Sequence, residues 1–214
     1  MAGQDSPRPQ GVPPEAREEA PTLHVVGAST AAANEDKRSL TAAEVMLLRN
    51  VFDNGISYGP VCLARMAPVI AGINGSRAFV LANTLNIPSQ DYDALRRGEK
   101  QWLLVHECTH IWQYQHRGWG YVAESLWAQG FGDGYDYVKA LREGKPWRKM
   151  NPEQQAQLIQ DAFWGGYFDH AGARFGALGN NGKVLPSGSG TPTGFDDYTA
   201  VLTAALRELR QPAA

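Results

Sequence analysis

The chain has 214 residues, the size of one domain or of one domain with a tail, and 43% of them are hydrophobic. Its formal net charge of −2 gives no electrostatic basis for binding nucleic acid. No apolar run approaches the roughly 18 residues of a membrane-spanning helix, and the start MAGQDSPRPQ lacks the basic and apolar regions of a signal peptide, so we expect neither.

Residues 1–38 are rich in Pro, Ala, Glu and Arg and show almost no apolar periodicity. This composition predicts a disordered N-terminal tail, followed by a single domain over residues 39–211. The domain opens with a helix, because Thr41 and Glu44 have the spacing of a capping box. This helix should end near Asp53-Asn54-Gly55, where the glycine can supply a left-handed turn.

Two short strands are predicted at residues 61–65 and 78–82, and residues 86–88 close that segment. Two interpretations of the strands stay open: they present an edge to an extended substrate, or they form a structural hairpin. A helix at 100–116, a second apolar and aromatic helix at 121–129, a loop at 130–137 and a short helix at 138–142 follow. Cys62 and Cys108 are the only cysteines, and Cys108 is predicted to be a small buried residue rather than half of a disulfide.

The last third of the chain begins with a loop at 146–152 and a helix at 153–170. Asn151 is the predicted N-cap of that helix and Pro152 its first residue. Residues 176–194 are rich in Gly, Ser, Pro and Asn, which predicts a loop. A final amphipathic helix is expected at 195–210, capped near Asp196. The predicted fold class is therefore α+β and mainly helical.

The most informative stretch is HECTH at residues 106–110, an HExxH pattern inside the apolar run WLLVHECTHIWQYQ. On a helix, His106 and His110 lie about 40° apart on one face, so two imidazoles can bind one metal ion from the same side. Glu107 projects beside that ion, where a carboxylate can take a proton from metal-bound water. Buried polar groups of this kind are costly without partners, and a shared metal removes most of that cost.

A catalytic zinc site needs a third protein ligand, and two residues compete for that role. His116 has metzincin spacing, but Gln113 occupies the position where a glycine would let the chain leave the helix, and a continuing helix turns His116 about 120° away. Glu153 opens a later helix, as in gluzincins, and is the preferred ligand. Asp161 is a candidate hydrogen-bond acceptor for a ligand histidine. The weaker candidates for the third ligand are Glu124, Asp133, Asp161 and His170.

The segments HECTHIWQYQ and NPEQQAQLIQDAF, in this order, resemble the zinc metallopeptidase domain fused to some type VI secretion VgrG spike proteins, and stand-alone Vgr-related proteins. The similarity covers roughly residues 40–170 and extends more distantly to the HExxH…ExxAD domains of contractile-injection-system toxins. It implies a zincin-like fold with a HExxH helix, a glutamate-bearing second helix and a small β-hairpin or sheet. It assigns Zn²⁺ to His106, His110 and Glu153, with Glu107 as general base. Gln157 stands where the distant relatives carry Asp.

The resemblance implies a zinc-dependent metallopeptidase that acts on a protein or peptide substrate. Such a protein would be made in the bacterial cytoplasm and delivered by a contractile secretion system as an antibacterial or host-directed effector. Its partners would be a VgrG-like spike and an immunity protein. The alternative function is a degenerate zincin-like adaptor that docks on a spike. Four side chains are unranked candidates for stabilising the oxyanion of the reaction: Tyr135, Tyr137, His116 and His170.

Overall fold

The computed structural model describes residues 36–69, 77–118 and 134–213. Within these ranges the chain is a mixed α+β fold with six α-helices and two small β-sheets. No helix in the described ranges is long and apolar enough to cross a membrane. Residues 1–35 of the tail predicted at 1–38, and the predicted helix at 121–129, lie outside the described residues. Lys37 and Arg38, at the end of the predicted tail, belong to a strand.

The N-terminal part contains one helix and a four-stranded sheet. Its elements are β1 (Lys37–Ser39), α1 (Ala42–Phe52), β2 (Cys62–Arg65), β3 (Phe79–Leu81) and β4 (Thr84–Ile87). The strand order is β1-β2-β4-β3, in which β2 and β4 run parallel and the other pairs antiparallel. The two predicted strands are confirmed as β2 and β3. Strand β4 was missed, because its four residues, TLNI, alternate polar and apolar side chains instead of forming an apolar run and follow directly on a turn.

The predicted capping box of α1 is confirmed, with Thr41 as N-cap. The helix ends at Phe52, close to the predicted position, but the reason proposed for Gly55 is wrong. The residue with positive φ is Asp53, at 48°, and not Gly55. A side chain at Gly55 would instead overlap the backbone carbonyl of Leu209, so glycine is needed there for a close approach between two chain segments.

The middle of the chain supplies the helices around the predicted site. They are α2 (Ser89–Arg96), α3 (Gln101–Arg117), α4 (Tyr137–Arg142) and α5 (Pro152–Trp164), with a 3₁₀ turn at Trp147–Lys149 before α5. Helices α3 and α5 pack against each other through buried faces. The predicted helix at 153–170 is too long, since α5 stops at Trp164. Gly166, with φ of 81°, lies in the turn that follows it.

The C-terminal part is a three-stranded sheet and a helix. It comprises β5 (Arg174–Leu178), β6 (Asn181–Leu185), β7 (Phe195–Asp197) and α6 (Thr199–Leu209), with strand order β6-β5-β7. The loop predicted at 176–194 is therefore wrong over its first half, and the last helix begins four residues later than predicted. A side chain at Gly176 would overlap the neighbouring strand at Asp196, and one at Gly182 would overlap the Tyr137 hydroxyl. Gly176 permits a close approach between two strands and Gly182 one between β6 and α4, whereas the sequence pattern suggested a loop.

One contiguous hydrophobic core joins these parts. It includes fully buried side chains from both sheets, such as Leu85 and Phe175, and from α1, α3 and α5. Cys108 belongs to this core and has no disulfide partner, as predicted. Helix α3 is thus fixed on its apolar sides, and the face that carries the two histidines is turned toward α5.

Candidate metal centre

Helix α3 brings the HExxH residues into the interior of the protein. Leu104, Val105 and Ile111 are completely buried and anchor the helix in the core. His106 is 7% exposed and Glu107 is 4% exposed, so both polar side chains are taken out of water together with the apolar ones. Polar groups at this depth need partners, and the neighbouring helix provides an acidic one.

Glu153 lies in the first turn of α5, where the sequence places it firmly. Asn151 accepts a hydrogen bond from the Gln154 backbone amide at 2.8 Å, and Gln154 bonds back to the Asn151 amide at 3.1 Å. Pro152 occupies the first helical position, which suits its fixed φ. The Glu153 side chain is 1% exposed, and Ala156 one turn later is completely buried, which allows α5 to pack closely on α3.

The three predicted ligands converge. Glu153 Oε2 lies 3.4 Å from His106 Nε2, and Glu153 Oε1 lies 3.5 Å from His110 Nε2. The candidate ligand atoms all lie within 4.8 Å of one another. Ligands about 2.0–2.1 Å from a tetrahedral zinc are about 3.3 Å apart, so the observed spacing suits atoms arranged around an ion. The buried cluster of His106, His110 and Glu153 could therefore hold a metal ion.

The charges of the cluster also favour a cation. Burial disfavours the charged form of Glu153, but hydrogen bonds from His106 and His110 outweigh it and hold the pKa of Glu153 well below its usual range. Burial likewise disfavours charged His110, yet its interaction with Glu153 raises the pKa of His110 to about 9. The carboxylate is thus ionised and draws a proton onto the neighbouring imidazole. When that proton is released, a divalent metal can bind the same imidazole nitrogen in its place.

Two buried polar atoms beside the cluster have no hydrogen-bond partner among the described residues. They are His106 Nδ1 and Glu107 Oε2. Burial raises the pKa of Glu107, although the neighbouring histidines oppose this rise. A buried carboxylate oxygen without a partner is expensive in a purely structural site and is a common feature of functional ones.

Gln113 is a site residue that the sequence interpretation underestimated. Its Oε1 lies 2.7 Å from His110 Nδ1, and its Nε2 donates to the Pro152 carbonyl at 3.1 Å and to Gln155 Oε1 at 3.0 Å. From the sequence, Gln113 was only a residue that keeps α3 helical. The available signal was its position three residues after His110, which places it on the same helical face as that ligand.

His116 is not part of the cluster, as its position in a continuing helix predicted. Its Nε2 lies 2.9 Å from the Gly55 carbonyl, and its ring stacks on Trp112 with centroids 4.5 Å apart. The predicted role of Asp161 as an acceptor for a ligand histidine is wrong. Asp161 instead accepts hydrogen bonds from the Tyr137 hydroxyl at 2.7 Å and from Gln157 Nε2 at 2.8 Å.

Among the four candidates for oxyanion stabilisation, Tyr135 lies beside the cluster. Its ring centroid is 6.4 Å from that of His106, and burial together with the charge of Glu153 raises the pKa of Tyr135 to about 12. The other three make contacts elsewhere. Tyr137 is hydrogen-bonded to Asp161, and His116 is hydrogen-bonded to the Gly55 carbonyl. His170 is an exposed residue near Arg207. Glu124 and Asp133, the weaker ligand candidates, lie outside the described residues.

Comparison with known proteins gives one informative similarity. The chain is 30% identical over 140 residues, 60% of its length, to the type VI secretion system spike protein VgrG2b of Pseudomonas aeruginosa. It spans only 13% of the length of that relative. No family model matches the chain, and no solved structure matches it. These findings link the chain to a segment of a type VI spike protein and leave its activity to be inferred from the site.

Proposed function

We propose that the chain is a zinc-dependent metallopeptidase of the zincin type, with His106, His110 and Glu153 as metal ligands. The observation that carries this proposal is the convergence of two imidazoles and one carboxylate, all buried, at the spacing of zinc ligands. Two histidines and one carboxylate form a donor set that suits zinc and leaves a coordination position for water or substrate.

The neighbouring residues fit the proton transfers of peptide hydrolysis. Zinc, when bound, supplies a Lewis acid that lowers the pKa of a bound water and polarises a carbonyl group. Glu107 holds a carboxylate oxygen, Oε2, without a partner among the described residues, so it is available to accept a proton. Burial raises the pKa of Glu107, which favours the protonated form that passes the same proton on to the leaving amine.

Tyr135 is the best placed of the oxyanion candidates. Its raised pKa keeps the phenol protonated at neutral pH, so the hydroxyl remains a hydrogen-bond donor. The tyrosine is 39% exposed and lies against His106, which lets it face both the cluster and an incoming substrate. We propose that Tyr135 donates to the carbonyl oxygen as it becomes negative.

The similarity to VgrG2b supports a biological setting for this activity. The relative is a spike protein of a type VI secretion system. We propose that the present chain associates with a VgrG-like spike, is delivered by a contractile secretion system, and acts on a protein substrate as an antibacterial or host-directed effector. A producing bacterium would then need an immunity protein against it.

The direct test uses Glu107→Gln. The purified chain, loaded with zinc, is incubated with a proteome-derived peptide library, and new N-termini are identified by mass spectrometry. We expect cleavage that disappears in Glu107→Gln and in phenanthroline, while the variant keeps the zinc content and melting temperature of the wild type. Cleavage of equal rate in Glu107→Gln would contradict the role of Glu107.

A second candidate function is a catalytically inactive zincin-like adaptor that docks on a secretion spike. The observation that favours it is the similarity to a spike protein rather than to a free enzyme. The same experiment separates the two: stoichiometric zinc, binding to a VgrG-like spike and no cleavage of any library peptide would support the adaptor.

A further inference from the structure

The structure assigns Gln113 as a positioning residue with two effects. It fixes which ring nitrogen of His110 is available to the metal. It also ties this histidine to the start of the helix that carries Glu153. The inference rests on the proposed metal site and not on peptide hydrolysis. It concerns a short chain of buried amides that extends from His110 to two backbone carbonyls. The amides belong to Gln113, which is 2% exposed, and Gln155, which is 0% exposed.

The orientation of both side-chain amides follows from the two backbone carbonyls to which they are hydrogen-bonded. Gln155 Nε2 lies 2.8 Å from the Trp147 carbonyl oxygen, and Gln113 Nε2 lies 3.1 Å from the Pro152 carbonyl oxygen. A carbonyl oxygen accepts and never donates, so the amide group that faces it must be NH₂. The 3.0 Å contact between Gln113 Nε2 and Gln155 Oε1 agrees with this assignment, since it pairs a donor with an acceptor.

These bonds allow only one neutral tautomer of His110. Because the Gln113 NH₂ group is directed at Pro152, its Oε1 faces His110 Nδ1 at 2.7 Å. That oxygen is an acceptor, so His110 Nδ1 must carry the proton. In the neutral imidazole the lone pair is therefore on Nε2, the nitrogen that lies 3.5 Å from Glu153. Two backbone carbonyls thus determine that Nε2, the His110 nitrogen facing the cluster, carries the lone pair.

The Gln113 amide also connects the two helices that supply the cluster, α3 with the histidines and α5 with Glu153. Pro152 immediately precedes Glu153, so the bond from Gln113 to its carbonyl fixes the first turn of α5 against α3. His106 lacks such support, because its Nδ1 has no partner among the described residues. The two histidines are therefore unequal: His110 is oriented before metal arrives, and His106 is held mainly by packing and by Glu153.

Three variants test this assignment through zinc affinity, measured by competition with a chromophoric chelator at constant pH. Gln113→Met keeps the volume and removes the amide. Gln113→Glu keeps an acceptor for His110 Nδ1 but cannot donate to Pro152. Gln115→Met is the matched control, since Gln115 lies on the same helix and its amide makes three hydrogen bonds, to Ser57 and Asn83, away from the cluster.

We expect Gln113→Met to bind zinc about 10- to 100-fold more weakly than the wild type, as for other residues that orient metal ligands. Gln115→Met should keep the wild-type zinc affinity even if its melting temperature falls as far as that of Gln113→Met. Gln113→Glu should bind more tightly than Gln113→Met although it is no more stable. Affinities that follow only the melting temperatures, or wild-type affinity in Gln113→Met, would overturn the assignment.

A measurement on the unaltered protein complements the variants. Imidazole ¹⁵N shifts of the zinc-loaded wild type should show His110 protonated at Nδ1 and coordinated through Nε2. Coordination through Nδ1 would overturn the assignment even if Gln113→Met failed to fold. Neither measurement involves turnover, so a chain that binds zinc in this way and cleaves nothing would contradict the peptidase proposal and leave the role of Gln113 intact.

Discussion

Two helices of this protein begin with the same device and use it differently. At the start of α1, Thr41 and Glu44 form a capping box, and Glu44 also makes a 2.7 Å ion pair with Arg38. At the start of α5, Asn151 and Gln154 form the same box. There the acidic residue is Glu153, which is left out of the box and faces two histidines in the interior.

The two carboxylates differ in role: that of Glu44 stabilises the fold, whereas that of Glu153 is directed at the candidate metal cluster. The carboxylate of Glu44 is used by its own helix start and by a neighbouring cation, so it stabilises the local fold. In α5, a neutral glutamine takes over the capping role, which leaves a buried carboxylate for the histidines. A carboxylate outside the capping box, next to a buried Glu107 oxygen without a partner among the described residues, could serve as a metal ligand.

The strongest test of this contrast compares Glu153→Ala with Glu44→Ala. We expect zinc content to fall from about one ion per chain to near zero in Glu153→Ala, because two histidines alone make a weak site. Glu44→Ala should retain the wild-type zinc content and lose only stability. Elemental analysis after gel filtration measures both, and equal zinc content in the two variants would remove the distinction between the helix starts.

Metal removal should affect stability next most strongly. A ligand at about 1,000 times its Kd stabilises a folded protein by about 4 kcal/mol, so zinc should raise the free energy of unfolding of the wild type by this order. Glu153→Ala should show no such gain. Urea unfolding with zinc and with a chelator gives the comparison, and a zinc-independent midpoint in the wild type would argue against a site in the folded state.

The two N-caps offer a finer comparison. Thr41→Ala and Asn151→Ala should each cost about 1 kcal/mol of unfolding free energy, the usual loss for a removed cap. Only Asn151→Ala should also weaken zinc binding, because Asn151 sets the first turn in which Glu153 lies. Chemical denaturation and chelator competition on the same samples check both expectations. Equal zinc affinities in the two variants would show that the cap does not position the ligand.

The smallest expected effect is the pH dependence of the α1 start. Burial would raise the pKa of Glu44, but its bonds with Arg38 and Thr41 prevail and lower it below 4.5. The stabilisation is therefore present above the unfolded pKa and is lost as the pH falls through the lower folded pKa. Glu44→Gln, which copies the box of α5, should flatten stability against pH below about pH 4.5. An unchanged slope would show that the pair with Arg38 contributes little.

The sequence predicted the parts of the site that local pattern controls. The spacing of His106 and His110 requires only a helix, and Asn151-Pro152-Glu153 is a helix start whatever surrounds it. The chain of amides through Gln113 could not be foreseen, since it depends on how α3 and α5 pack. Asp161 was assigned to the wrong partner for the same reason: helical phase gives a direction and not the neighbour, which is Tyr137.

The second sheet was missed because glycine has two opposite uses. Gly176 and Gly182 suggested a loop from composition, yet each lies in a strand where a neighbouring group leaves no space for a side chain. That close approach is a tertiary property. Two of the four N-terminal strands, β2 and β3, were recognised because they are short apolar runs bounded by turn residues.

We propose above all that His106, His110 and Glu153 bind one zinc ion. Anomalous difference maps at the zinc edge, from crystals of the zinc-loaded chain, test it most directly. The account predicts a single strong peak about 2.0–2.2 Å from Nε2 of each histidine and from a Glu153 oxygen. No peak at this cluster, or a zinc ion bound by other residues, would contradict it.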